Sequence, residues 1–360
     1  MYFASEIRVP FPVDFPGLKH AVKKHRLHCE IVAQSAFTFD SRMRNDESNL
    51  GEFDLIARLA ARLRTPTGAG VVGIGDDCAA IPHGGGVQLL TCDVAVAGRH
   101  FLPGRTPMED VGWKVATACV SDVCACGGKP GYALISLGVP PGQPPEALET
   151  LYDGVGEAGE SYGFQVLGGN VSGASELVID VFMLGQAPRF IPRGGARPGH
   201  LVAVSGTLGD AAAGLRAFRD GDDSAGSREL IRRHLRPHAR VERVPLLQAV
   251  ASAAIDISDG LDSELTHLAG QSGACLAIEG ARVPMSRALR DFARRHGEDP
   301  LQLALGSGEE FELLFTLPAD RRAELEGADV TVIGEVREGA GVLLDGRPIV
   351  PRGWDHLRAP

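Results

Sequence analysis

The 360-residue sequence lacks the features that mark membrane, secreted and nucleic-acid-binding proteins. Its apolar runs stay below the roughly 20 residues that a membrane-spanning helix needs. The N-terminal segment carries Glu6 and Arg8 and has no apolar core of the kind found in secretory signals. The formal net charge is −10, from 36 basic and 46 acidic residues, so neither nucleic acid nor an anionic membrane is an expected partner.

Cysteine is too irregularly spaced for a disulfide framework or a structural zinc site. The seven cysteines stand at positions 29, 78, 92, 119, 124, 126 and 275. An odd number without framework spacing is typical of reduced thiols and predicts a cytoplasmic protein. Cys124 and Cys126 are separated by a single residue, and no second pair completes a zinc site.

The motifs of several common enzyme classes are also missing. The sequence contains no G-x-x-x-x-G-K-(S/T) phosphate loop, no H-R-D or D-F-G element of protein kinases, and no nucleophile elbow. A nucleotide-dependent enzyme built from this chain would therefore use another fold, and covalent catalysis is not favoured.

Predicted strands and helices alternate along the chain, among them a strand at 131–139 and a helix at 145–162. This alternation favours a mixed α/β fold of the α+β type in two domains. Hydrophobic residues make up 44% of the chain, and its length suffices for two buried cores. Residues 1–47 show no periodicity and are predicted to be a mobile extension, although translation that begins at Met43 is an alternative. A stretch rich in Pro, Gly and Arg marks the predicted boundary, with an N-terminal domain at 48–187 and a C-terminal domain at 188–360.

Two predicted strands lead directly into acidic residues. The apolar run 71–75 ends at Asp76 and Asp77. Because neighbouring strand residues point to opposite faces, only one of these two is expected to face a given site. The run 89–92 ends in the same way at Asp93.

Other aspartates lie in a helix and at a strand-to-helix junction. Asp122 has apolar neighbours, and a carboxylate in such surroundings is either paired or a ligand. Asp256 and Asp259 flank the junction, where Ser258 or Asp259 is expected to cap the following helix. Two carboxylates held close raise each other's pKa unless a cation neutralises them. The alternative is that both are solvated, one as a strand end and one as a cap.

If these aspartates converge in space, they form a site for several Mg²⁺ ions. Such a site would hold a polyphosphate and neutralise charge while a phosphoryl group moves. Glycine turns at 73–75, 168–169 and 206–209 could add backbone N–H groups to phosphate binding.

Ordered segments between residues 49 and 360 resemble the thiamine-monophosphate kinase family, whose superfamily includes aminoimidazole ribonucleotide synthetase and selenophosphate synthetase. The matching segments are 51–58, 73–79, 100–103, 205–215, 234–237, 239–241, 255–261, 308–313 and 353–356. The resemblance implies direct transfer of the γ-phosphate of ATP to thiamine monophosphate with several Mg²⁺ ions. It also implies a homodimer in which the N-terminal domains pair through their sheets.

The resemblance further implies roles for individual residues. The implied metal ligands are Asp77, Thr91, Cys92, Asp93, Asp122, Asn170, Asp256 and Asp259, of which Asp256 and Asp259 are the predicted catalytic pair. The implied ATP contacts are Gly169, Asn170, Arg193 and Ser258. The implied contacts of thiamine monophosphate are His100, Glu309 and Trp354, the last offering an aromatic face to a thiazolium cation.

Some of these residues have structural alternatives. His100 is alternatively a loop histidine, and Trp354 is alternatively an anchor for the C-terminal segment. Lys114 is predicted to be either a helix-surface residue or a residue that steers phosphate.

One loop departs from the family pattern. Where the family usually shows Gly-Gly-Asp-Thr-Thr-Arg-Gly, this chain has Asn170 in place of the aspartate and no arginine before Gly173. Asn still offers a carbonyl oxygen to Mg²⁺ but carries no charge. A superfamily enzyme that uses ATP to activate another small acceptor is therefore the first alternative, and a non-catalytic nucleotide-binding protein is the second.

Overall fold

The computed structural model describes residues 51–63 and 70–350, which form two mixed β-sheets with helices packed on them. The predicted mixed α/β class is confirmed. The predictions for residues 1–47 and for Trp354 lie outside the described residues. None of the helices in the described part is long and apolar enough to cross a bilayer.

The first sheet and its helices are built from residues up to 187. The elements in chain order are α1 Glu52–Ala60, β1 Ala79–His83, β2 Gly86–Val96, α2 Met108–Ala125, β3 Lys129–Val139, α3 Pro145–Tyr162, β4 Gln165–Gly173 and β5 Val178–Ala187. The strand order is β1-β2-β5-β3-β4, and β4 alone is parallel to its neighbour, β3.

The two faces of this sheet differ because side chains alternate along each strand. Ile135 and Val181 are fully buried on the face that α2 covers. Val94, Leu134 and Phe182 point to the other face and are between 37% and 45% exposed. The described chain therefore leaves one apolar face of the first sheet open to solvent.

The second sheet uses the rest of the described chain. Its strands and the helices between them are, in chain order, β6 His200–Ser205, α4 Asp210–Asp220, α5 Ala225–Leu235, α6 Val244–Val250, β7 Ala253–Asp256, α7 Leu261–Ser272, β8 Cys275–Ile278, α8 Arg287–His296, α9 Pro300–Gly306, β9 Leu313–Pro318, β10 Val330–Arg337, β11 Gly341–Leu344 and β12 Arg347–Pro348. The strand order is β12-β11-β8-β10-β6-β9-β7.

The two sheets share a hydrophobic core. One cluster of buried residues continues from Val120 and Ile135 of the first half to Ala254 and Phe315 of the second. A second cluster, which includes Ile255 and Phe292, belongs to the second half alone. The division at 187/188 into separate domains stays a prediction.

The prediction that a strand leads into Asp76 and Asp77 is wrong. Val72 makes only an isolated bridge to Ala80, and residues 74–78 form bends. Gly75 has a φ of +123°, which a strand residue does not adopt, so the chain turns before the two aspartates. Both carboxylates can therefore face the same side.

The predicted glycine turn at 168–169 is also wrong, because β4 continues through it to Gly173. A side chain at Gly169 would place its Cβ 1.7 Å from the carbonyl oxygen of Ile135 on β3. Gly169 therefore does not form a turn. Its lack of a side chain lets the parallel strands β3 and β4 pair closely.

The predicted cap of α7 is wrong as well. The helix begins after Gly260, whose φ is +126°, and no side chain caps it. The backbone N–H of Asp259 instead donates to Oε1 of Glu264 at 3.0 Å. Ser258 and Asp259 therefore lie in the loop before the helix, where their side chains are not occupied in capping it.

Close packing of α2 on α3 generates a stability prediction. A Cβ at Gly154 would lie 1.9 Å from the carbonyl oxygen of Glu109, whereas a Cβ at Gly156, on the same helix, meets nothing within 4 Å. Gly154→Ala is expected to lower the free energy of unfolding by about 1–3 kcal/mol through overpacking. Gly156→Ala, the matched control, is expected to raise it by about 0.4–1 kcal/mol. Urea unfolding of both variants checks this, and equal effects would contradict close helix packing.

Candidate metal and phosphate site

Three aspartates that are far apart in sequence meet in one place. Asp77 precedes β1, Asp122 lies near the end of α2, and Asp256 ends β7. One carboxylate oxygen from each lies within 4.8 Å of the other two. We call Asp77, Asp122 and Asp256 the carboxylate cluster. The convergence that the sequence suggested is thus present in the fold for these three residues.

Hydroxyl groups orient two members of the carboxylate cluster. The Oγ1 of Thr91 on β2 donates to Oδ2 of Asp122 at 2.5 Å. The Oγ of Ser121 donates to Oδ2 of Asp256 at 2.7 Å, and this serine is fully buried. Each bond engages one oxygen of its carboxylate and fixes the orientation of that group.

Burial and mutual repulsion raise the pKa of the clustered carboxyls. Burial, followed by the neighbouring Asp77, raises the pKa of Asp256 from 3.8 to about 8. Burial, followed by Asp256 and Asp77, raises the pKa of Asp122 well above its ordinary value. Asp93 adds to the repulsion at both residues. These carboxylates are fully ionised at neutral pH only if positive charge lies beside them.

Arg193 supplies part of that positive charge. Its backbone N–H donates to Oδ2 of Asp76 at 3.0 Å, and its Nε donates to Oδ1 of Asp77 at 3.1 Å. The Nη2 of Arg193 also pairs with Oδ1 of Asp77. Oδ2 of Asp77 is buried and has no hydrogen-bond partner among the described residues. A buried anionic oxygen without a donor fits a cation, since desolvation would otherwise be uncompensated.

The loop 256–259 is hydrogen-bonded to a second loop, residues 308–311. The N–H of Glu309 donates to the carbonyl oxygen of Ser258 at 2.7 Å. The N–H of Phe311 donates to the carbonyl oxygen of Ile257 at 2.9 Å. These bonds bring the predicted substrate residue Glu309 next to Ser258 and Asp259.

The prediction that Lys114 lies on a helix surface is wrong. Lys114 is buried on α2, and its Nζ lies 2.5 Å from Oε2 of Glu309. The alternative, that Lys114 steers phosphate, stays a prediction. In this structure the charge of Lys114 is paired with the carboxylate of Glu309.

Other predicted site residues are placed elsewhere. Cys92 lies next to Thr91 and Asp93 on β2, so strand alternation places its thiol on the opposite, exposed face. Asn170 pairs with Ser136, and Ser136 pairs with Asp180, on that same exposed face. No contact among the described residues joins Cys92 or Asn170 to the carboxylate cluster, and their ligand roles stay predictions.

His100 is a loop residue whose Nδ1 accepts a hydrogen bond from the N–H of Val96 at 2.9 Å. This bond fixes the orientation of the imidazole at the end of β2. Gly169 lies in register with Ile135 of β3, which pairs with Val181 beside Asp93. Gly169 is therefore in line, across the strands, with residues whose side chains point to the face that α2 covers, where Asp122 of the carboxylate cluster lies. Asn170 is in line with residues that point to the opposite face.

Sequence reasoning missed two residues that hold the site together. Ser121 on α2 orients Asp256 at the end of β7, and the Glu264 side chain accepts a hydrogen bond from the backbone N–H of Asp259. The Ser-Asp pair at 121–122 repeats the pair at 258–259, which is a signal that could have been noticed. Nothing in the local sequence of Glu264 distinguishes it from a surface residue of α7.

The chain matches two family domains over most of its length. The family "AIR synthase related protein, N-terminal domain" matches residues 75–187, and the corresponding C-terminal domain matches residues 197–345. Both matches fall on the segments that the sequence resemblance covers, and they confirm the superfamily.

Individual relatives narrow the assignment. The thiamine-monophosphate kinase of Aquifex aeolicus (strain VF5) is 42% identical over 310 residues, 86% of this chain and 98% of that protein. The thiamine-monophosphate kinase of Escherichia coli (strain K12) is 36% identical and covers 86% of this chain and 99% of its own length. The solved structure "AaThiL complexed with AMPPCP and TMP" is 41% identical with a TM-score of 0.81, covering 87% of this chain and 99% of that chain. The chain belongs to the thiamine-monophosphate kinase family, as its sequence resemblance predicted.

Proposed function

We propose that this protein transfers the γ-phosphate of ATP to thiamine monophosphate, forming thiamine diphosphate and ADP. The observation that carries the proposal is the carboxylate cluster. One of its members, Asp256, begins the 256–259 loop, which is hydrogen-bonded to the loop that carries Glu309. Family relatives named for this activity, and a solved relative that holds AMPPCP and TMP, support the choice of substrates. In the reaction a phosphate oxygen of the acceptor attacks the γ-phosphorus, and the bond to the β–γ bridging oxygen breaks.

Mg²⁺ is the cation that best suits the carboxylate cluster. Mg²⁺ prefers carboxylate oxygens shared with substrate phosphates, and the unpartnered Oδ2 of Asp77 is an oxygen of this kind. When bound, Mg²⁺ would neutralise the charge that develops on the transferred phosphoryl group. Asp77, Asp122 and Asp256 would hold it, with Asp93 and Asp259 nearby. Thr91 and Ser121 fix the orientation of the carboxylates.

The remaining residues divide between the two substrates. Arg193 already lies beside Asp77, so its guanidinium can exchange a carboxylate for a nucleotide phosphate without a large movement. Gly169, through its backbone, and Ser258, through its hydroxyl group, are the further proposed ATP contacts. Glu309 suits the cationic thiazolium ring of the acceptor, and His100 and Trp354 are the further proposed acceptor contacts.

A second candidate function is activation of another small acceptor by ATP. The altered segment of β4 that begins at Asn170 favours it, because a negative charge and an arginine of the family pattern are missing. An assay of the purified protein with ATP and Mg²⁺, in the presence and absence of thiamine monophosphate, distinguishes the two candidate functions. Thiamine diphosphate formation supports the first function. A rate of ATP turnover that does not depend on thiamine monophosphate, with no thiamine diphosphate formed, supports the second function.

We also propose that the protein is a cytoplasmic homodimer. The apolar face of the first sheet carries Val94, Leu134 and Phe182 and is uncovered in the single chain. Exposed contiguous apolar surface of this kind marks an interaction site. Pairing of two such faces would bury it and place β4, whose residues are all exposed, beside a second copy.

The dimer proposal predicts the effect of a charge on that face. Phe182→Glu is expected to raise the dimer dissociation constant at least tenfold, since interface anchors contribute about 2 kcal/mol or more. Tyr152→Glu, at a similarly exposed aromatic residue on α3, is the control and should leave the dimer intact. Sedimentation over a concentration series measures both. An unchanged dissociation constant for Phe182→Glu would place the interface elsewhere.

The metal proposal predicts loss of activity in Asp259→Asn. Removal of one charged group that acts on the transition state is expected to lower kcat by about 10²–10³-fold. The thermal unfolding midpoint should stay near that of the wild type, because Asp259 lies in a half-buried loop. Asp153→Asn, on the exposed surface of α3, is the matched control. Near-normal activity of Asp259→Asn would remove it from the catalytic group.

The raised pKa of Asp256 predicts how stability depends on pH without metal. The folded state keeps a proton up to about pH 8 that the unfolded state releases near 3.8. In EDTA, the free energy of unfolding should therefore fall as pH rises from about 4 to about 8, by at most about 1.4 kcal/mol per pH unit for this group. Asp256→Asn should make the slope shallower, whereas Asp153→Asn should not.

Added Mg²⁺ is expected to offset this loss. A cation that binds only the folded state stabilises it by about 2.7 kcal/mol when its concentration is a hundredfold above its dissociation constant. The unfolding midpoint at pH 8 should therefore rise with Mg²⁺ in the wild type and rise less in Asp256→Asn. The same rise in both proteins would show that Mg²⁺ binds away from the carboxylate cluster.

A further inference from the structure

A buried lysine connects α2 to the loop that carries Glu309. Lys114 Nζ lies 2.5 Å from Oε2 of Glu309 and 3.5 Å from Nδ1 of His234 on α5. The side chains of Lys114 and His234 are 11% and 6% exposed, whereas that of Glu309 is 31% exposed. Of the three groups, the carboxylate of Glu309 is thus the one that a ligand from solvent can reach.

His234 contributes a neutral contact to this group. Burial, followed by the charges of Lys114 and Arg219, lowers the pKa of His234 to about 2. Because a lysine ammonium can only donate, Nδ1 of the neutral imidazole faces it as an acceptor. The charge of Lys114 is therefore balanced by Glu309, and His234 supports the lysine from the other side.

The backbone of Glu309 is held in an uncommon conformation. Its φ is +59°, and that of Phe311 is +53°. Residues with side chains adopt this left-handed region only where the surrounding structure holds them there. The bonds of the Glu309 and Phe311 N–H groups to Ser258 and Ile257 hold this conformation, and the ion pair of Glu309 with Lys114 anchors the same loop through the side chain.

The contacts leave one oxygen of Glu309 available. Among the described residues, Lys114 holds this carboxylate at Oε2, and Nδ1 of the neutral His234 lies 3.5 Å from the same oxygen without donating to it. Oε1 can therefore accept a ligand while Oε2 stays anchored. Nζ of Lys114 itself is buried and already paired, so it is poorly placed to meet a phosphate.

We propose that Lys114 is a positioning residue that fixes the carboxylate of Glu309 for the cationic acceptor. This inference rests on the proposed function, in which Glu309 contacts thiamine monophosphate. Without the lysine, Glu309 keeps its charge but loses the partner that sets its side-chain direction. Binding of the acceptor then weakens, whereas binding of ATP, which depends on other groups, does not.

The test compares Lys114→Met and Lys114→Arg with the wild type. Lys114→Met is expected to raise KM for thiamine monophosphate at least tenfold while KM for ATP changes less than twofold, and Lys114→Arg should recover most of the loss. Lys129→Met removes an exposed lysine at the start of β3 and is the control, with no change expected. Equal increases in both KM values would show a general structural defect and overturn the proposal.

A double-mutant comparison separates positioning from direct contact. The dissociation constant of thiamine monophosphate is measured by calorimetry for Lys114→Met, Glu309→Gln and the double variant. If Lys114 acts through Glu309, the lysine change weakens binding less than twofold in the Glu309→Gln protein. If the fold-increases in the dissociation constant of the two single variants multiply in the double variant, Lys114 contacts the acceptor directly, and the proposal is overturned.

Hydrogen exchange tests the positioning without any assay of turnover. Exchange of the Glu309 and Phe311 amides should be at least tenfold faster in Lys114→Met than in the wild type or in Lys129→Met. Unchanged exchange would show that the lysine does not hold this loop. Absence of thiamine diphosphate formation by the wild type, with faster exchange in Lys114→Met, would overturn the proposed function and leave the positioning role standing.

Discussion

Mutual repulsion among buried carboxylates is the constraint on which the rest of this structure depends. Asp77, Asp122 and Asp256 come from different elements and lie within 4.8 Å of one another at their oxygens. Such an arrangement is unfavourable unless positive charge balances it. Arg193 and two hydroxyl donors provide the balance that the chain itself offers, and the buried Oδ2 of Asp77 marks where a cation completes it.

Helix α2 connects the two ends of the proposed reaction site. It carries Asp122 and Ser121 at the carboxylate cluster and Lys114 at the loop of Glu309. Lys114 and Asp122 are eight positions apart, which is about 12 Å along a helix axis. The helix is buried through most of its length and packs closely on α3 through small residues, so this separation is held rigidly. Glycine at 154 therefore serves the site although it is not part of the carboxylate cluster.

The sequence predicted most long elements, and its errors have physical causes. The helix at 145–162 and the strand at 131–139 follow from clear periodicity and appear nearly as predicted. The errors concern glycine, which signals turns as readily as close approach: Gly75 bends the chain, whereas Gly169 stays in a strand. The short strand β1 carries too few residues for a period to be read.

The sequence by itself determined the family, the α/β class and the acidic residues that a phosphate-transferring site requires, because these are local motifs in a fixed order. The sequence also shows that Asn170 stands where the family pattern has an aspartate. Only the tertiary structure decided which acids meet and what orients them. Strand alternation separates Cys92 from Thr91, and distant pairings bring Ser121 to Asp256 and Lys114 to Glu309. Such contacts depend on how sheets and helices pack, and no local pattern of residues encodes that packing.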